Sequence, residues 1–336
     1  MSKVHAKQRI VIIGASAGGM QALTTLIAQL PGDFPAAVCV VYHMSPEITG
    51  LPLVRELDRS GALPCRLAEQ GEAIAPGMVY FAPVDQHMLI DDGRILITKG
   101  ARENRSRPAI DPLFRSAAAA FGHRVIGIVL TGSLSDGTSG MMAIKRCGGI
   151  CIAQDPADAS YPDMPQSVIS NVGVDHVASI AEMGALLVGV VDRPPPPSRP
   201  IPEDIVIEAG IAARVLSDVP AVSALGSQVP FNCPDCGGVL WQIAEGEFLR
   251  YRCHTGHAFT SSDLLAQQTA KIEETLWVSL RMFEERQNLL QTMTDRAGAG
   301  TPTALKQRAA DSQVHIDRIR SMLLSTDKDD PPAAKG

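Results

Sequence analysis

Short apolar runs rich in β-branched residues alternate with stretches of helical periodicity along the first 190 or so residues. The strand-like runs are IVIIG, AAVCVVY, MVYFAP, RILIT, VIGIVLTG and GICIAQ, and the helical stretches include MQALTTLIAQL, TGLPLVRELDRSG, DPLFRSAAAAFG and GMMAIKRCG. Strands that alternate with helices are joined by crossover connections, and near-continuous apolar strands are covered on both faces. The pattern therefore predicts an α/β fold, a doubly wound parallel sheet with helices on both faces.

A proline tract, DRPPPPSRPIPED, ends this alternation. Such a tract cannot continue a helix or a central strand and is typical of an extended spacer. The patterns on either side of it predict a six-part organisation: an α/β domain at 1–191, a proline-rich linker at 192–203, a segment of uncertain structure at 204–230, a Cys/His-containing zinc ribbon at 231–260, a helical region at 261–325 and a disordered tail at 326–336.

Three side chains with catalytic chemistry follow three of the predicted strands. Ser16 comes after IVIIG, His43 after AAVCVVY, and Asp136 lies in the SLSDG segment that follows VIGIVLTG. Functional groups collect beyond the carboxyl ends of the strands in an open parallel sheet. A hydroxyl, an imidazole and a carboxylate at that edge are the parts of a nucleophile, a general base and the group that orients the base.

The segment GASAGG, residues 14–19, admits two interpretations. It fits the G-x-S-x-G turn that presents a nucleophilic serine, and it also fits a glycine turn around a nucleotide. A dinucleotide site needs an acidic residue after the second strand, where this chain has His43, and the P-loop motif is absent. Taken singly, Ser16 could be a helix N-cap, His43 a loop residue and Asp136 part of an ordinary turn. Together they favour catalysis.

GASAGG, YHM and LTGSLSDGTSG, in that order, resemble the catalytic domain of the chemotaxis protein-glutamate methylesterases of the CheB type. The resemblance extends through PGMVYFAPVDQHMLI, RPAIDPLFRSAA and MPQS and covers roughly residues 8–190. It implies a Ser16–His43–Asp136 triad that hydrolyses glutamate methyl esters on the cytoplasmic helical domains of chemoreceptors and releases methanol, with glutamine deamidation as a related activity. It implies no cofactor for catalysis. The implied partners are methylated chemoreceptors, together with a receptor methyltransferase or other chemotaxis proteins.

The same resemblance suggests further site residues and shows where this chain departs from the family. The backbone N–H groups of Ala17 and the Ser133 loop are the expected oxyanion donors, and His87 is either a substrate-site residue or a structural loop histidine. Family members usually carry GAST, QHM, TGMG and GMP, whereas this chain has Ala17, Tyr42, Ser133-Leu134 and Asp163-Met164. We expect these changes to alter substrate fit or rate without removing a triad member. Because the first strand starts by residue 10, we also expect no fused receiver domain in front of it.

A second candidate site lies in CPDC at 233–236 and CHTGH at 253–257. The seven cysteines are an odd number in a chain without a signal peptide, which argues against a disulfide framework. A C-x-x-C turn lets two thiolates share one ion, and a second turn completes a tetrahedron. The spacing predicts a structural Zn²⁺ held by Cys233, Cys236, Cys253 and His257, with His254 as the alternative fourth ligand and a reduced, metal-free hairpin as the alternative structure.

Charge and hydropathy restrict the function further. The formal net charge of −6 gives no general attraction for nucleic acid or for an anionic membrane. The N-terminal apolar run is too short for a signal peptide, and no stretch reaches the roughly 18 apolar residues of a membrane span. We therefore expect a cytoplasmic protein without direct membrane insertion. A non-catalytic receptor-binding or signalling scaffold with the same fold, using its zinc and helical C-terminal region, is the main alternative to an enzyme, and a nucleotide-binding protein is the third.

Overall fold

A computed structural model describes residues 8–44, 50–213, 219–246, 248–297 and 303–326. The chain forms two compact units, Met1–Asp263 and Leu264–Gly336. No helix in the described part of the chain is both long enough and apolar enough to cross a membrane. The tail expected to be disordered lies almost entirely outside these residues.

The first unit is built on a seven-stranded sheet in which every pairing is parallel. Its strands, in spatial order, are β3 (Cys65–Leu67), β4 (Val79–Phe81), β2 (Ala37–Tyr42), β1 (Ile10–Ala15), β7 (Val125–Val129), β8 (Ile150–Gln154) and β9 (His176–Ala178). From β1 the chain moves to one side of the sheet through β2, and it later crosses to the other side to form β7. The order therefore reverses at β1, which is where open α/β sheets place their ligand sites.

Helices cover both faces of this sheet, as the sequence predicts. They are α1 (Gly19–Ala28), α2 (Leu51–Ser60), α3 (Ile110–Phe121), α4 (Thr138–Arg146), α5 (Asp163–Asn171) and α6 (Ile180–Val191). Successive side chains of β1 enter opposite cores: Ile10 and Ile12 pack in the core formed with α3, α4 and α5, and Val11 and Ile13 pack in the core formed with α1, α2 and α6. Because both faces are buried, the strand has no polar side and appears in the sequence as an unbroken apolar run.

One predicted strand does not belong to the parallel sheet. RILIT forms β6 (Arg94–Thr98), which pairs antiparallel with β5 (His87–Asp91) in a separate two-stranded hairpin. The expectation of a parallel strand was wrong here because a hairpin packed against the core shows the same apolar run as a central strand.

The segment between the proline tract and residue 263 also belongs to the first unit. It contains α7 (Glu203–Ala213), α8 (Val219–Ser223) and an antiparallel sheet, here called the C-terminal sheet, of β10 (Ser227–Asn232), β11 (Val239–Glu245), β12 (Phe248–Cys253) and β13 (Ala258–Thr260). The second unit contains the long helix α9 (Ser261–Ala297), which begins in the first unit, and α10 (Thr303–Thr326). Its apolar residues Leu280, Ile316 and Leu323 share one small core.

Candidate active site

Backbone hydrogen bonds bring the ends of β1, β2 and β7 together just beyond the sheet. The N–H of Ser16 donates to the carbonyl of Thr131 at 3.0 Å, and the N–H of His43 donates to the carbonyl of Ala15 at 3.1 Å. Both bonds continue the contacts between these strands past their ends. The loops that carry the three predicted catalytic side chains therefore start side by side.

The predicted triad is assembled. Ser16 Oγ lies 3.2 Å from His43 Nδ1, and His43 Nε2 lies 2.9 Å from Asp136 Oδ2. With the ring proton on Nε2, His43 donates to the carboxylate and its Nδ1 is free to accept the serine proton. This is the relation that a nucleophile, a general base and an orienting acid require.

Asp136 is buried and accepts five hydrogen bonds. His43 Nε2 and the Ile110 N–H, at 2.7 Å, donate to its Oδ2, while Asn104 Nδ2 at 2.8 Å and the N–H groups of Gly137 and Asp111 donate to its Oδ1. Ile110 and Asp111 form the first turn of α3, whose free N–H groups favour an anion. Burial by itself raises the pKa of Asp136, but the His43 ring and these donors hold it below its usual value. The carboxylate therefore stays ionised beside the imidazole.

Asn104 and Asp111 form a layer behind the triad that the sequence analysis did not identify. The Asn104 amide donates to Asp136 and, at 2.8 Å, to Asp111 Oδ2, while Asp111 Oδ1 accepts the N–H of Gly140. Burial and the nearby charge of Asp136 raise the pKa of Asp111 to about 7. The available signal was weak: Asp111 lies in RPAIDPLFRSAA, but no spacing rule links a helix start to a catalytic loop on another strand.

The glycines of GASAGG allow close approach of strand and helix. Gly18 has φ +72°, and a Cβ there would lie 2.9 Å from Ser160 Cβ. A Cβ on Gly19, the first residue of α1, would lie 2.7 Å from Ala15 Cβ. Since C–C contacts are normally about 3.5 Å or longer, only glycine fits both positions without displacement.

Comparisons with known proteins identify the family to which the chain belongs. The family model for the CheB methylesterase matches residues 11–187, more than half of the chain. The chain belongs to the CheB methylesterase family. It is thus a carboxylic-ester hydrolase by family, and its fold is that of the CheB catalytic domain.

Relatives and a solved structure agree with that assignment. A protein-glutamate methylesterase/protein-glutamine glutaminase of Photorhabdus laumondii is 37% identical over 180 residues, which are 52% of this chain and 51% of the relative. A relative from Methanosarcina mazei with the same two activities in its name is 36% identical over 192 residues, 55% of this chain and 52% of its own length. The crystal structure of the Thermotoga maritima CheB methylesterase catalytic domain is 35% identical, with a TM-score of 0.53 over 55% of this chain and 100% of that domain. The chain thus spans about half the length of the Photorhabdus laumondii and Methanosarcina mazei relatives.

Three of the residues that the sequence analysis contrasts with the usual family motifs, Ala17, Ser133 and Leu134, lie in the loops that carry Ser16 and Asp136. Ser133 is exposed and Ala17 is partly exposed, and none of the described residues accepts a hydrogen bond from either backbone N–H. Leu134 has φ +67° and is 41% exposed, so a large apolar side chain occupies a backbone conformation that favours glycine.

His87 does not reach the surface. It is 2% exposed, its Nε2 donates to the Ala101 carbonyl at 2.9 Å, and its Nδ1 accepts the Ala109 N–H at 3.2 Å. Burial lowers the pKa of this histidine, which keeps the ring neutral. Of the two interpretations of His87, the structure therefore favours a structural histidine over a substrate-site residue. Its ring links Ala101 to Ala109, the two ends of the segment that carries Asn104.

The four predicted metal ligands also come together, in the C-terminal sheet. One ligand atom from each of Cys233, Cys236, Cys253 and His257 lies within 4.8 Å of the others. His254, the alternative ligand, instead packs edge-on against Trp241, with ring centroids 6.5 Å apart. The geometry thus distinguishes between the two histidines of CHTGH.

Proposed function

We propose that this CheB chain is a protein-glutamate methylesterase that hydrolyses glutamate methyl esters on chemoreceptors in the cytoplasm by a Ser16–His43–Asp136 mechanism. The observation that carries the proposal is the continuous hydrogen-bonded series from Ser16 Oγ through His43 to the buried Asp136 carboxylate. The names of the relatives supply the substrate class.

The reaction follows from the positions of these atoms. His43 Nδ1 accepts the Ser16 proton as Oγ attacks the ester carbonyl, and the imidazolium then returns that proton to the leaving methoxide, which departs as methanol. Water attacks the resulting glutamyl-Ser16 ester, again with His43 as base, and a free glutamate side chain and Ser16 are regenerated. Asp136 holds the ring in the required tautomer and stabilises its positive charge.

The free backbone N–H groups of Ala17 and Ser133 are the candidate oxyanion donors. Both belong to segments that flank Ser16, and neither is used by another group among the described residues. Preorganised N–H groups stabilise the negative oxygen of the tetrahedral intermediate. Glutamine deamidation uses the same acyl chemistry with ammonia as the leaving group, so we include it in the proposal.

The entrance to the site is cationic, which suits an acidic protein substrate. A cleft of about 130 Å³ beside His43 is lined by Arg102, Arg105 and Arg107. Asp85 neutralises Arg107, while Arg102 and Arg105 are exposed. A receptor segment that carries several glutamates, only some of them methylated, presents negative charge around each ester, so two exposed guanidinium groups would favour its binding.

The test is methanol release from a methylated chemoreceptor preparation by the full chain. We expect Ser16→Ala to lower the rate by at least about 10³-fold while receptor binding persists. Ser170→Ala, at an exposed serine of α5 remote from the triad, is the matched control and should retain the wild-type rate. Receptor binding without methanol release by the wild-type chain would support the scaffold alternative instead, and wild-type rates in Ser16→Ala would refute the mechanism.

A further inference from the structure

We propose that Cys233, Cys236, Cys253 and His257 bind one Zn²⁺ ion and that this ion, through the backbone beside its ligands, holds Asn104 against the catalytic Asp136. The site lies outside residues 11–187, which match the CheB family. Its effect on catalysis rests on the proposed function, whereas the metal site and its effect on Asn104 do not.

Two distances between the ligand atoms match those expected around one tetrahedral ion, and all four atoms lie within 4.8 Å of one another. With Zn–S bonds of about 2.3 Å and a Zn–N bond of about 2.05 Å, a tetrahedron places two sulfurs about 3.8 Å apart and a sulfur and a nitrogen about 3.5 Å apart. Cys236 Sγ and Cys253 Sγ are 3.7 Å apart, and Cys253 Sγ and His257 Nδ1 are 3.5 Å apart. A disulfide needs about 2.05 Å, so the sulfurs of Cys236 and Cys253 are spaced for a shared metal and not for a bond to each other.

The two ligand-bearing turns are alike in ending at a glycine with positive φ, although the first is one residue longer than the second. In the first, the Gly237 N–H donates to the Cys233 carbonyl at 2.8 Å, and Gly237 has φ +74°. In the second, the Gly256 N–H donates to the Cys253 carbonyl at 3.0 Å, and Gly256 has φ +110°. Each turn ends in a glycine that reverses the chain, which directs the side chains of both turns toward one point.

The histidine ligand also has an outer partner. With Nδ1 toward the thiols, His257 directs Nε2 toward the Asp235 carboxylate, 3.8 Å away. Histidines that bind metals commonly face a carboxylate with their second nitrogen, which orients the ring. Four protein ligands leave no open position, so the ion would be structural and would not meet substrate.

The ligand turn at 253–257 is fastened at both ends to residues 102–106, here called the support loop. Directly before Cys253, the Arg252 guanidinium donates to Glu103 Oε1 at 2.9 Å and to the Gly256 carbonyl at 3.0 Å. Directly after His257, the Ala258 carbonyl accepts the Asn104 N–H at 2.8 Å. Arg252 and Ala258, which are the chain neighbours of the ligands Cys253 and His257, therefore hold Glu103 and Asn104 of the support loop.

The support loop passes this constraint to the triad through one side chain. The Asn104 amide donates to Asp136 Oδ1 at 2.8 Å and is itself 6% exposed. Asn104 has φ +48°, a left-handed conformation that its surroundings must maintain. Without the ion, the 253–257 turn is no longer cross-linked to the CPDC turn. Arg252 and Ala258 are then less firmly positioned, and so are their hydrogen bonds to Glu103 and Asn104. Asn104 is thus a positioning residue whose placement depends on the metal.

Metal binding is tested first, on the full chain purified under reducing conditions and analysed for zinc by mass spectrometry. We expect one zinc per wild-type chain and none in His257→Ala. His257→Cys should keep the ion because a thiolate replaces the imidazole, and His254→Ala, in the same turn, is the matched control that should also keep it. Zinc retained in His257→Ala, or a wild-type chain that binds no added Zn²⁺, would overturn the site.

The coupling is tested by removing zinc from the wild-type chain with a chelator and restoring it. We expect faster amide hydrogen exchange at Asn104, unchanged exchange in β1, and about 10- to 100-fold slower labelling of Ser16 by a fluorophosphonate, all reversed by Zn²⁺. Unchanged exchange at Asn104 would overturn the coupling. Failure of Ser16 to react even in the zinc-loaded chain would count against the proposed function alone, because the exchange measurement still decides the coupling.

Asn104→Ala separates positioning from general loss of structure. We expect this variant to keep one zinc per chain and to lower kcat about 10-fold or more with KM unchanged, since the amide orients Asp136 and does not contact the substrate. A variant with wild-type kcat, or one in which only KM changes, would overturn the role of Asn104.

Discussion

Gly132 lies directly behind the nucleophile, and its replacement by alanine tests how tightly Ser16 is placed. A Cβ at position 132 would lie 2.1 Å from Met164 Sδ and 2.8 Å from Ser16 Cβ. Carbon atoms in contact are normally about 3.5–4.0 Å apart, so Ser16 would have to retreat by roughly 1 Å even if the methionine moved away completely. Met164 is fully buried, which leaves its side chain little room to move.

Two measurable costs follow from this overlap. Insertion of a methyl group into a packed interior typically costs about 1–3 kcal/mol of the free energy of unfolding. Displacement of Ser16 by about 1 Å would disturb the 3.2 Å contact between its Oγ and His43, and misplacement of that size can lower a rate by about 10²-fold. We therefore expect Gly132→Ala to lower kcat by about 10- to 100-fold and to reduce the melting temperature by several degrees.

The matched control is Gly127→Ala in β7, earlier in the same segment. A Cβ there would lie 2.6 Å from Met141 Sδ and 2.7 Å from Ile144 Cδ1, both of them core atoms rather than site atoms. It should therefore destabilise the fold to a similar extent and leave kcat per folded molecule unchanged. Ester hydrolysis and thermal unfolding are measured on both variants. Equal kcat values in the two would show that the overlap is relieved without a catalytically significant displacement of Ser16, and the argument for a tightly placed Ser16 would fail.

Three further substitutions examine the surroundings of the site. Asp136→Asn should lower kcat by about 10⁴-fold, because an amide cannot accept all five hydrogen bonds and no longer fixes the His43 tautomer; a loss under tenfold in steady-state hydrolysis would contradict this. Leu134→Gly should raise the free energy of urea unfolding by up to about 1 kcal/mol, since it removes a left-handed leucine, and no increase would mean that the loop is not strained. Glu208 is buried, which raises its pKa, but the arginines around it hold the pKa well below its usual value; its stabilisation is therefore present above about pH 4.3 and is lost as the pH falls through the folded pKa. Glu208→Gln should cost about 3–5 kcal/mol at pH 7 and flatten the loss of stability below about pH 4.3, as measured by urea unfolding from pH 7 down to about pH 2, and an unchanged slope in that acid range would contradict the assignment.

The triad could be predicted from sequence because each member follows its own apolar run. His43 and Asp136 are 93 residues apart in the chain and Ser16 is further still from Asp136, yet the carboxyl ends of parallel strands share one edge of the sheet. The alternation of strands and helices was therefore sufficient to place all three. RILIT shows the limit of that reasoning, because burial rather than strand direction determines an apolar pattern.

The support of the triad could not be predicted in the same way. Asn104 lies in the loop between β6 and α3, where no periodic pattern positions a side chain, and Asp111 lies at the start of α3, whose periodicity does not indicate which loop that end of the helix meets. Asn104 reaches Asp136 from a left-handed backbone conformation. The C-x-x-C spacing did identify the ligand set, since that spacing is a local property. What it could not show is that the turn carrying Cys253 packs on the loop beside the nucleophile.

A buried charge network explains why the C-terminal sheet belongs to the same unit as the catalytic domain. Glu103 and Arg115 lie within the segment that matches the CheB family, while Glu208, Arg250 and Arg252 lie after it, and all five are at most 4% exposed. Glu208 accepts from both Arg250 and Arg252, and Glu103 accepts from both Arg115 and Arg252. In the sequence these residues look like ordinary surface charges. An unpaired buried charge is far more costly than a paired one, so the charges within the family segment and those after it require each other as partners. The residues after the proline tract therefore complete the packing behind the catalytic site.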